Sequence, residues 1–187
     1  GRAAGRVFTS PVRGLMAVRA LLHGLAVYSW FFGVLRMPLA EVNAMLNLGP
    51  VYATLGAVVL MGEKLRIRRI AAILISFIGA LIIIKPGFAE INLGTIAILI
   101  TAPMFAGSDL IAKRLKAFEN DRTIIFSLSA GIAAFMMVPA IGVWQPISAT
   151  NWIGIMAISV TATLGHIALM RSFNGPMWAA QTGKYMQ

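Results

Sequence analysis

The fold of this chain is decided by residues 37–87, MPLAEVNAMLNLGPVYATLGAVVLMGEKLRIRRIAAILISFIGALIIIKPG. The stretch holds two apolar runs, 42–61 and 70–84, each near the length that an α-helix needs to cross a bilayer. A short basic turn separates them and carries Lys64, Arg66, Arg68 and Arg69. Because basic loops of membrane proteins stay in the cytoplasm, this turn predicts a helical hairpin in a membrane and also orients it.

The composition of the whole chain agrees with a membrane protein. Of its 187 residues, 59% are hydrophobic and 12% are charged, and the mean hydropathy is +0.83. A soluble domain has about a quarter of its residues charged. The net charge of +10 sits in short clusters between apolar runs, so we expect it to orient the chain rather than bind nucleic acid. The absence of cysteine excludes disulfides, thiol catalysis and cysteine metal sites.

Six apolar stretches follow one another along the chain, each about one bilayer crossing long. They cover residues 14–35, 42–61, 70–84, 91–112, 123–143 and 152–170. Short connections with turn-forming residues join them, such as Asn120-Asp121 and Gln145-Pro146. We therefore predict an all-α, polytopic transmembrane helical bundle with six spans.

The distribution of lysine and arginine orients the bundle. Thirteen of these residues fall in the loops on one side of the predicted membrane, and only Arg36 and Lys85 fall on the other. Arg19 lies just inside the first span, near its basic end. The bias predicts both termini in the cytoplasm and a location in the bacterial inner membrane.

The opening stretch also resembles the end of the first repeat of EamA-type transporters in the drug/metabolite transporter superfamily. The likeness rests on five features: a Pro-Leu-Ala-Glu entry at 38–41, Pro50 within the next helix, a Gly62-Glu63 pair closing that helix, the basic residues that follow it, and a last helix ending in Lys85-Pro86-Gly87. The resemblance implies a bundle of ten helices in two inverted repeats of five. This chain would then hold helices three to eight, and its first residue, Gly1, agrees with a piece of a longer protein.

On this map residues 1–87 form the end of the first repeat, and residues 88–187 form an incomplete second repeat that ends at the start of helix nine. The family often has a proline and an acid at that start, whereas this chain has Thr182 and Lys184. This difference argues against the coupling of transport to an ion through an acidic residue at that position. The implied function is secondary transport of a metabolite, amino acid or drug-like solute by alternating access. The incomplete repeat predicts no transport by this chain alone unless it forms a homodimer.

Two histidines are candidates for the substrate pathway. His23 lies near the middle of the first span and His166 lies in the last one. An ionisable group at membrane depth indicates a functional site, either for solute hydrogen bonding or as a proton relay. A neutral histidine that forms an interhelical hydrogen bond is the alternative, and both interpretations stay open.

A second candidate group lies around the proline of the second span. Asn43 and Asn47 share one helix face, and Tyr52 and Trp30 are aromatic groups that could line a central cavity with them and with Pro50. A few polar groups in an apolar pocket are typical of a ligand site. Asparagine also joins helices within membranes, and tryptophan anchors them at the interface, so a purely structural role is equally open.

Five further residues have a structural interpretation. Asp109 and Lys113 are four apart on the fourth span, which favours a salt bridge. Glu63 follows a helix end that disfavours an acid, so we expect it to pair with Arg66 or Arg68 in the basic turn.

The motifs that the chain lacks narrow the function. It has no glycine-rich phosphate loop, no metal-ligand spacing and no serine nucleophile elbow, so we expect no cofactor, no metal, no catalytic residue and no ATP-driven pump. A membrane-embedded enzyme or a structural membrane subunit is the alternative to a transporter. The expected partners are the lipid bilayer and a small solute.

Overall fold

The computed structural model describes residues 2–62, 67–84 and 92–173, and the regular structure in these ranges is entirely α-helical. The prediction of an all-α fold is therefore confirmed. The helices are α1 (Arg2–Thr9), α2 (Arg13–Val34), α3 (Leu39–Leu46), α4 (Gly49–Met61), α5 (Ile67–Ile84), α6 (Leu93–Leu115), α7 (Asp121–Gly142) and α8 (Ala149–Ser172).

Five segments in the described ranges are long and apolar enough to cross a membrane. They are α2, the pair α3 and α4 taken together, α6, α7 and α8. The remaining predicted span forms α5, within which Ile70–Ile82 is a shorter apolar helix. The predicted stretches and the observed helices agree within three residues at every end. This agreement arises because bilayer thickness sets the length of each apolar run.

The second span is broken, although the sequence predicts a single apolar span over residues 42–61 that contains Pro50. Helix α3 ends at Leu46 and α4 begins at Gly49, so Asn47 and Leu48 lie between two helices. Pro50 falls in the first turn of α4, where its missing N–H removes no helical hydrogen bond within α4. Pro50 thus begins a new helix and does not bend a continuous one.

Helix α2 lies at the centre of the bundle and packs mainly against α6 and α7, while α4 packs against another side of α6. Lipid gives helices no hydrophobic reason to associate, so small residues at the contacts matter. Gly33 is one of them, because a Cβ there would overlap the side chain of Ile98 on α6. Gly56 on α4 approaches Leu110 on α6 in the same way.

Two buried clusters fill the two ends of the bundle. One contains Met16, Ala112, Leu115, Ile124 and Met170, and joins α2, α6, α7 and the end of α8. The other contains Met37, Val42, Met45 and Ile98, and joins α3 to α6. Polar side chains of the α2–α6 contact lie between these apolar ends.

Helix α8 is attached at its C-terminal end. All of its residues are described, and Met170 is its one buried side chain. Lys116 Nζ donates to the backbone carbonyl of Met170 over 2.8 Å and to Asp121 Oδ1 over 2.7 Å. This lysine therefore joins the ends of α6, α7 and α8.

Candidate functional site

The inner face of α2 carries a deeply buried arginine. The Arg19 side chain is 1% exposed. Its Nε donates to the backbone carbonyl of Ser108 on α6 over 3.2 Å, and its Nη1 donates to that of Ile124 on α7 over 3.1 Å. One side chain thus links three spans, and its planar guanidinium suits two acceptors at a fixed separation.

His23 lies one turn along the same face of α2 and is also buried. Its Nδ1 lies 3.0 Å from the hydroxyl oxygen of Ser108, in hydrogen-bonding contact. The same residue of α6 therefore binds Arg19 through its carbonyl and His23 through its side chain. Ser108 fixes the register of the polar groups between α2 and α6.

Two rings flank the His23 imidazole. The ring of Phe105 on α6 lies 4.8 Å away between centroids, and that of His166 on α8 lies 5.7 Å away. His166 is half-buried, and its Nδ1 donates to the carbonyl of Ala162 over 2.9 Å. The two candidate histidines from opposite ends of the chain therefore meet inside the bundle.

A carboxylate complements the buried arginine. Asp109 follows Ser108 on α6 and is half-buried, and it interacts electrostatically with both Arg19 and His166. A nearby opposite charge lowers the cost of an ion within a membrane, where an isolated charge is unfavourable. We call Arg19, His23, Ser108, Asp109 and His166 the central polar cluster.

One hydrogen-bond donor of the central polar cluster has no acceptor among the described residues. Nη2 of Arg19 is buried and makes no hydrogen bond within the part of the chain that is described. A buried N–H without an acceptor is unfavourable, so this position favours a water molecule or a polar solute atom. The arrangement can thus accept a polar ligand without rebuilding the helices.

A small cavity of about 180 Å³ lies beside the cluster, between α4 and α6. Asp109 and Lys113 line it from α6, and Thr54 and Ala57 line it from α4. Asp109 therefore lies both at this cavity and within the field of Arg19. The predicted salt bridge between Asp109 and Lys113 stays a prediction, although both residues line the same space.

The second candidate group lies away from the central polar cluster. Asn43, Asn47 and Pro50 are exposed, and Tyr52 is half-buried on α4. Trp30 is half-buried against the cluster of Met37, Val42, Met45 and Ile98. The structure brings His23 and His166 together and does not bring the asparagines to them. The pathway roles of these five residues stay predictions.

Most of the basic turn falls outside the described residues. This applies to Glu63 and Arg66, and to the side chain of Arg69, so their predicted ion pairs have no structural account. Arg68 is exposed near the start of α5. Among the described residues, no group of three histidine, aspartate or glutamate side chains comes together as a metal site.

Sequence reasoning missed Arg19 and Ser108 as site residues. Arg19 was placed near the basic end of the first span, where an arginine can reach water. Its four-residue separation from His23 was an available signal, since this spacing puts both side chains on one face. The serine carried no comparable signal.

The chain is similar to several transporters. It is 24% identical over 165 residues to the pseudopaline exporter CntI of Pseudomonas aeruginosa, covering 86% of this chain and 57% of that protein. It is 26% identical over 162 residues to a riboflavin transporter of Vibrio cholerae, covering 86% and 54%. An S-adenosylmethionine uptake transporter of Rickettsia prowazekii is 26% identical over 134 residues, covering 72% and 43%.

The chain spans about half the length of the curated relatives that it matches. No solved structure matches it significantly. The relatives are named for transport rather than catalysis, in agreement with the predicted absence of an enzyme activity. The model of the EamA-like transporter family matches residues 5–85, which include all but the last two residues of the stretch 37–87. Residues 5–85 of this chain are therefore similar to the EamA-like transporter family.

Proposed function

We propose that the protein moves a small solute across the inner membrane by alternating access, and that the solute passes the central polar cluster. The observation that carries this proposal is the meeting of Arg19, His23 and His166 inside membrane-spanning helices. Ionisable groups at such depth are costly and mark solute or ion pathways. The transport names of the relatives support the same function.

The place of the cluster fits a transporter built from two repeats. We assign residues 1–87 to the end of a first repeat and residues 88–187 to an incomplete second one, and the family match over 5–85 supports the first assignment. His23 lies in the first segment, while Ser108 and His166 lie in the second. Transporters with inverted repeats bind their solutes near the midplane, between the repeats.

The proposed orientation has both termini in the cytoplasm. Its support is the lysine and arginine bias, with thirteen residues on one side and two on the other. Arg122 at the start of α7 and Arg171 at the end of α8 then face the cytoplasm together.

The names of the relatives provide the first solutes to test. Riboflavin and S-adenosylmethionine are offered separately to proteoliposomes that contain the full-length protein. We expect uptake of at least one of them above that of empty liposomes. Failure to transport either, with the protein correctly inserted, would reject these solutes as cargo.

The same assay tests the pathway. His23→Ala and His166→Ala each remove one imidazole from the pair, and we expect a roughly ten-fold or greater loss of uptake from the lost contacts. Ser159→Ala is the control, because Ser159 is exposed on α8 and its hydroxyl donates only to the carbonyl of Ile155 in its own helix. Normal uptake by both histidine variants would remove the cluster from the pathway.

A further inference from the structure

A groove of about 520 Å³ opens between α7 and α8, at the end of the bundle where α7 begins and α8 ends. Its mouth is lined by Arg122 and Arg171, and its deeper wall by Ile125, Phe126 and Ile167. The groove is separate from the central polar cluster and shares no residue with it.

The groove exists because α8 packs against the rest of the bundle mainly at its C-terminal end. Met170 fixes the end of α8 to α2, α6 and α7, and the bond from Lys116 Nζ to the Met170 carbonyl strengthens this attachment. Beyond Met170, towards the middle of the membrane, α8 is largely exposed. The two helices therefore meet at one end, and the space beside this contact stays open.

The mouth of the groove is positively charged. The lining also includes Asp121, but Lys116 pairs with that carboxylate at 2.7 Å and offsets its charge. Arg122 and Arg171 are exposed, and neither makes a hydrogen bond or ion pair within the described ranges. Two guanidinium groups are thus available for an anion, and such groups bind phosphate through paired hydrogen bonds.

The charged part of the groove lies nearer the membrane surface than its apolar part. At 1.5 Å per residue, Phe126 lies about 6 Å deeper along α7 than Arg122, and Ile167 lies about 6 Å deeper along α8 than Arg171. The interfacial zone of a bilayer is similarly about 6 Å thick on each side. The arginines therefore match the level of lipid phosphates, while the apolar wall matches the upper acyl chains.

We propose that this groove binds an anionic phospholipid, with its phosphate between Arg122 and Arg171 and its first acyl carbons against Ile125, Phe126 and Ile167. A soluble phosphate compound would leave the apolar wall uncovered, whereas a zwitterionic lipid would bring a cation to two arginines. Basic grooves between spans on the cytoplasmic side favour anionic lipids for these reasons. The proposal is independent of solute transport.

The test uses the full-length protein in detergent and native mass spectrometry. Phosphatidylglycerol and phosphatidylcholine of the same acyl composition are added separately, with glycerol 3-phosphate as the soluble probe. We expect the wild type to prefer phosphatidylglycerol. In Arg122→Gln/Arg171→Gln the affinity for this lipid should fall roughly ten- to thirty-fold, because each basic residue near a membrane surface strengthens the binding of an anionic lipid about five-fold. The double variant Arg122→Lys/Arg171→Lys keeps both charges but loses the paired hydrogen bonds, so we expect its affinity to lie between those of the wild type and the glutamine variant.

Arg114→Gln is the matched control, because Arg114 is exposed at the same end of the bundle and does not line the groove. An equal loss in this control would show unspecific attraction and overturn the proposal. Equal binding of glycerol 3-phosphate and phosphatidylglycerol would also overturn it, since the apolar wall would then contribute nothing. If the glutamine variant changed the oligomeric state by size-exclusion chromatography with light scattering, the groove would be a subunit interface instead.

Discussion

Arg19 donates a hydrogen bond from Nη1 to the backbone carbonyl of Ile124 over 3.1 Å, although 105 residues separate the two in the chain. The same guanidinium binds the Ser108 carbonyl on α6. Both acceptors lie in helices, so the arginine joins three spans without interrupting their backbones. The contact between α2 and α7 thus depends on a polar bond as well as on apolar packing.

Substitution of Arg19 is expected to destabilise the bundle, to an extent that depends on whether the new side chain keeps the positive charge. Arg19→Met removes the charge that complements Asp109 and both interhelical bonds, so we expect a loss of about 2 kcal/mol in the free energy of unfolding. Arg19→Lys keeps the charge, but a compact ammonium cannot reproduce the planar fork, so we expect about half of this loss. Unfolding in a detergent titration measures both, with the exposed Arg114→Met as control. Equal stability of Arg19→Met and the wild type would contradict a joining role.

Ser108 is expected to affect solute uptake through His23. Ser108→Ala removes the hydroxyl at 3.0 Å from the imidazole but keeps the carbonyl that binds Arg19. One lost hydrogen bond corresponds to a few-fold change, so we expect uptake to fall about two- to ten-fold with little change in stability. In His23→Ala, the same substitution should have no further effect. Additive losses in a double-mutant cycle would show that the two side chains act separately.

Two glycine substitutions are expected to have opposite effects on stability. Gly33→Ala places a methyl group against Ile98 and near the Gly94 carbonyl, where α2 and α6 approach each other, so we expect a loss of about 1 to 3 kcal/mol. Gly79→Ala adds a methyl group to open space inside α5, where alanine is the better helix former by about 1 kcal/mol. The same unfolding assay compares the two. Destabilisation by both to a similar extent would argue against the close approach of α2 and α6.

The proposed orientation is tested with reporter fusions in the full-length protein. Alkaline phosphatase, which is active only in the periplasm, is fused after Pro86 or after Lys116. The thirteen-to-two bias in basic residues predicts activity after Pro86 and none after Lys116. The reverse pattern would place the termini in the periplasm.

The positions of the spans could be predicted from the sequence because the bilayer imposes the length of each apolar run. The break between α3 and α4 could not. A proline inside an apolar run, such as Pro50, is compatible with a bent helix or with the start of a new one. Packing of Val42 and Met45 against Ile98 fixes α3 separately, and this partner lies in a distant part of the sequence.

The candidate site also has residues that could be predicted from the sequence and residues that could not. His23 and His166 could be selected because ionisable residues are conspicuous in apolar spans, and the structure brings their rings within 5.7 Å. Arg19 was missed because its burial depends on carbonyls from two other helices, and backbone acceptors leave no trace in side-chain patterns. Asn43 and Asn47 share a helix face and are exposed, away from the central polar cluster, so their pathway role stays a prediction.

The break between α3 and α4 has a consequence for water. Pro50 has no N–H to offer the carbonyl of Leu46, four residues earlier, and this position lies within a segment long enough to cross the membrane. Hydrocarbon cannot solvate a free carbonyl, so irregular backbone at such depth has to border protein or a wet cavity. The second span therefore requires local hydration, or cover by a polar neighbour, near the centre of an otherwise dry bilayer.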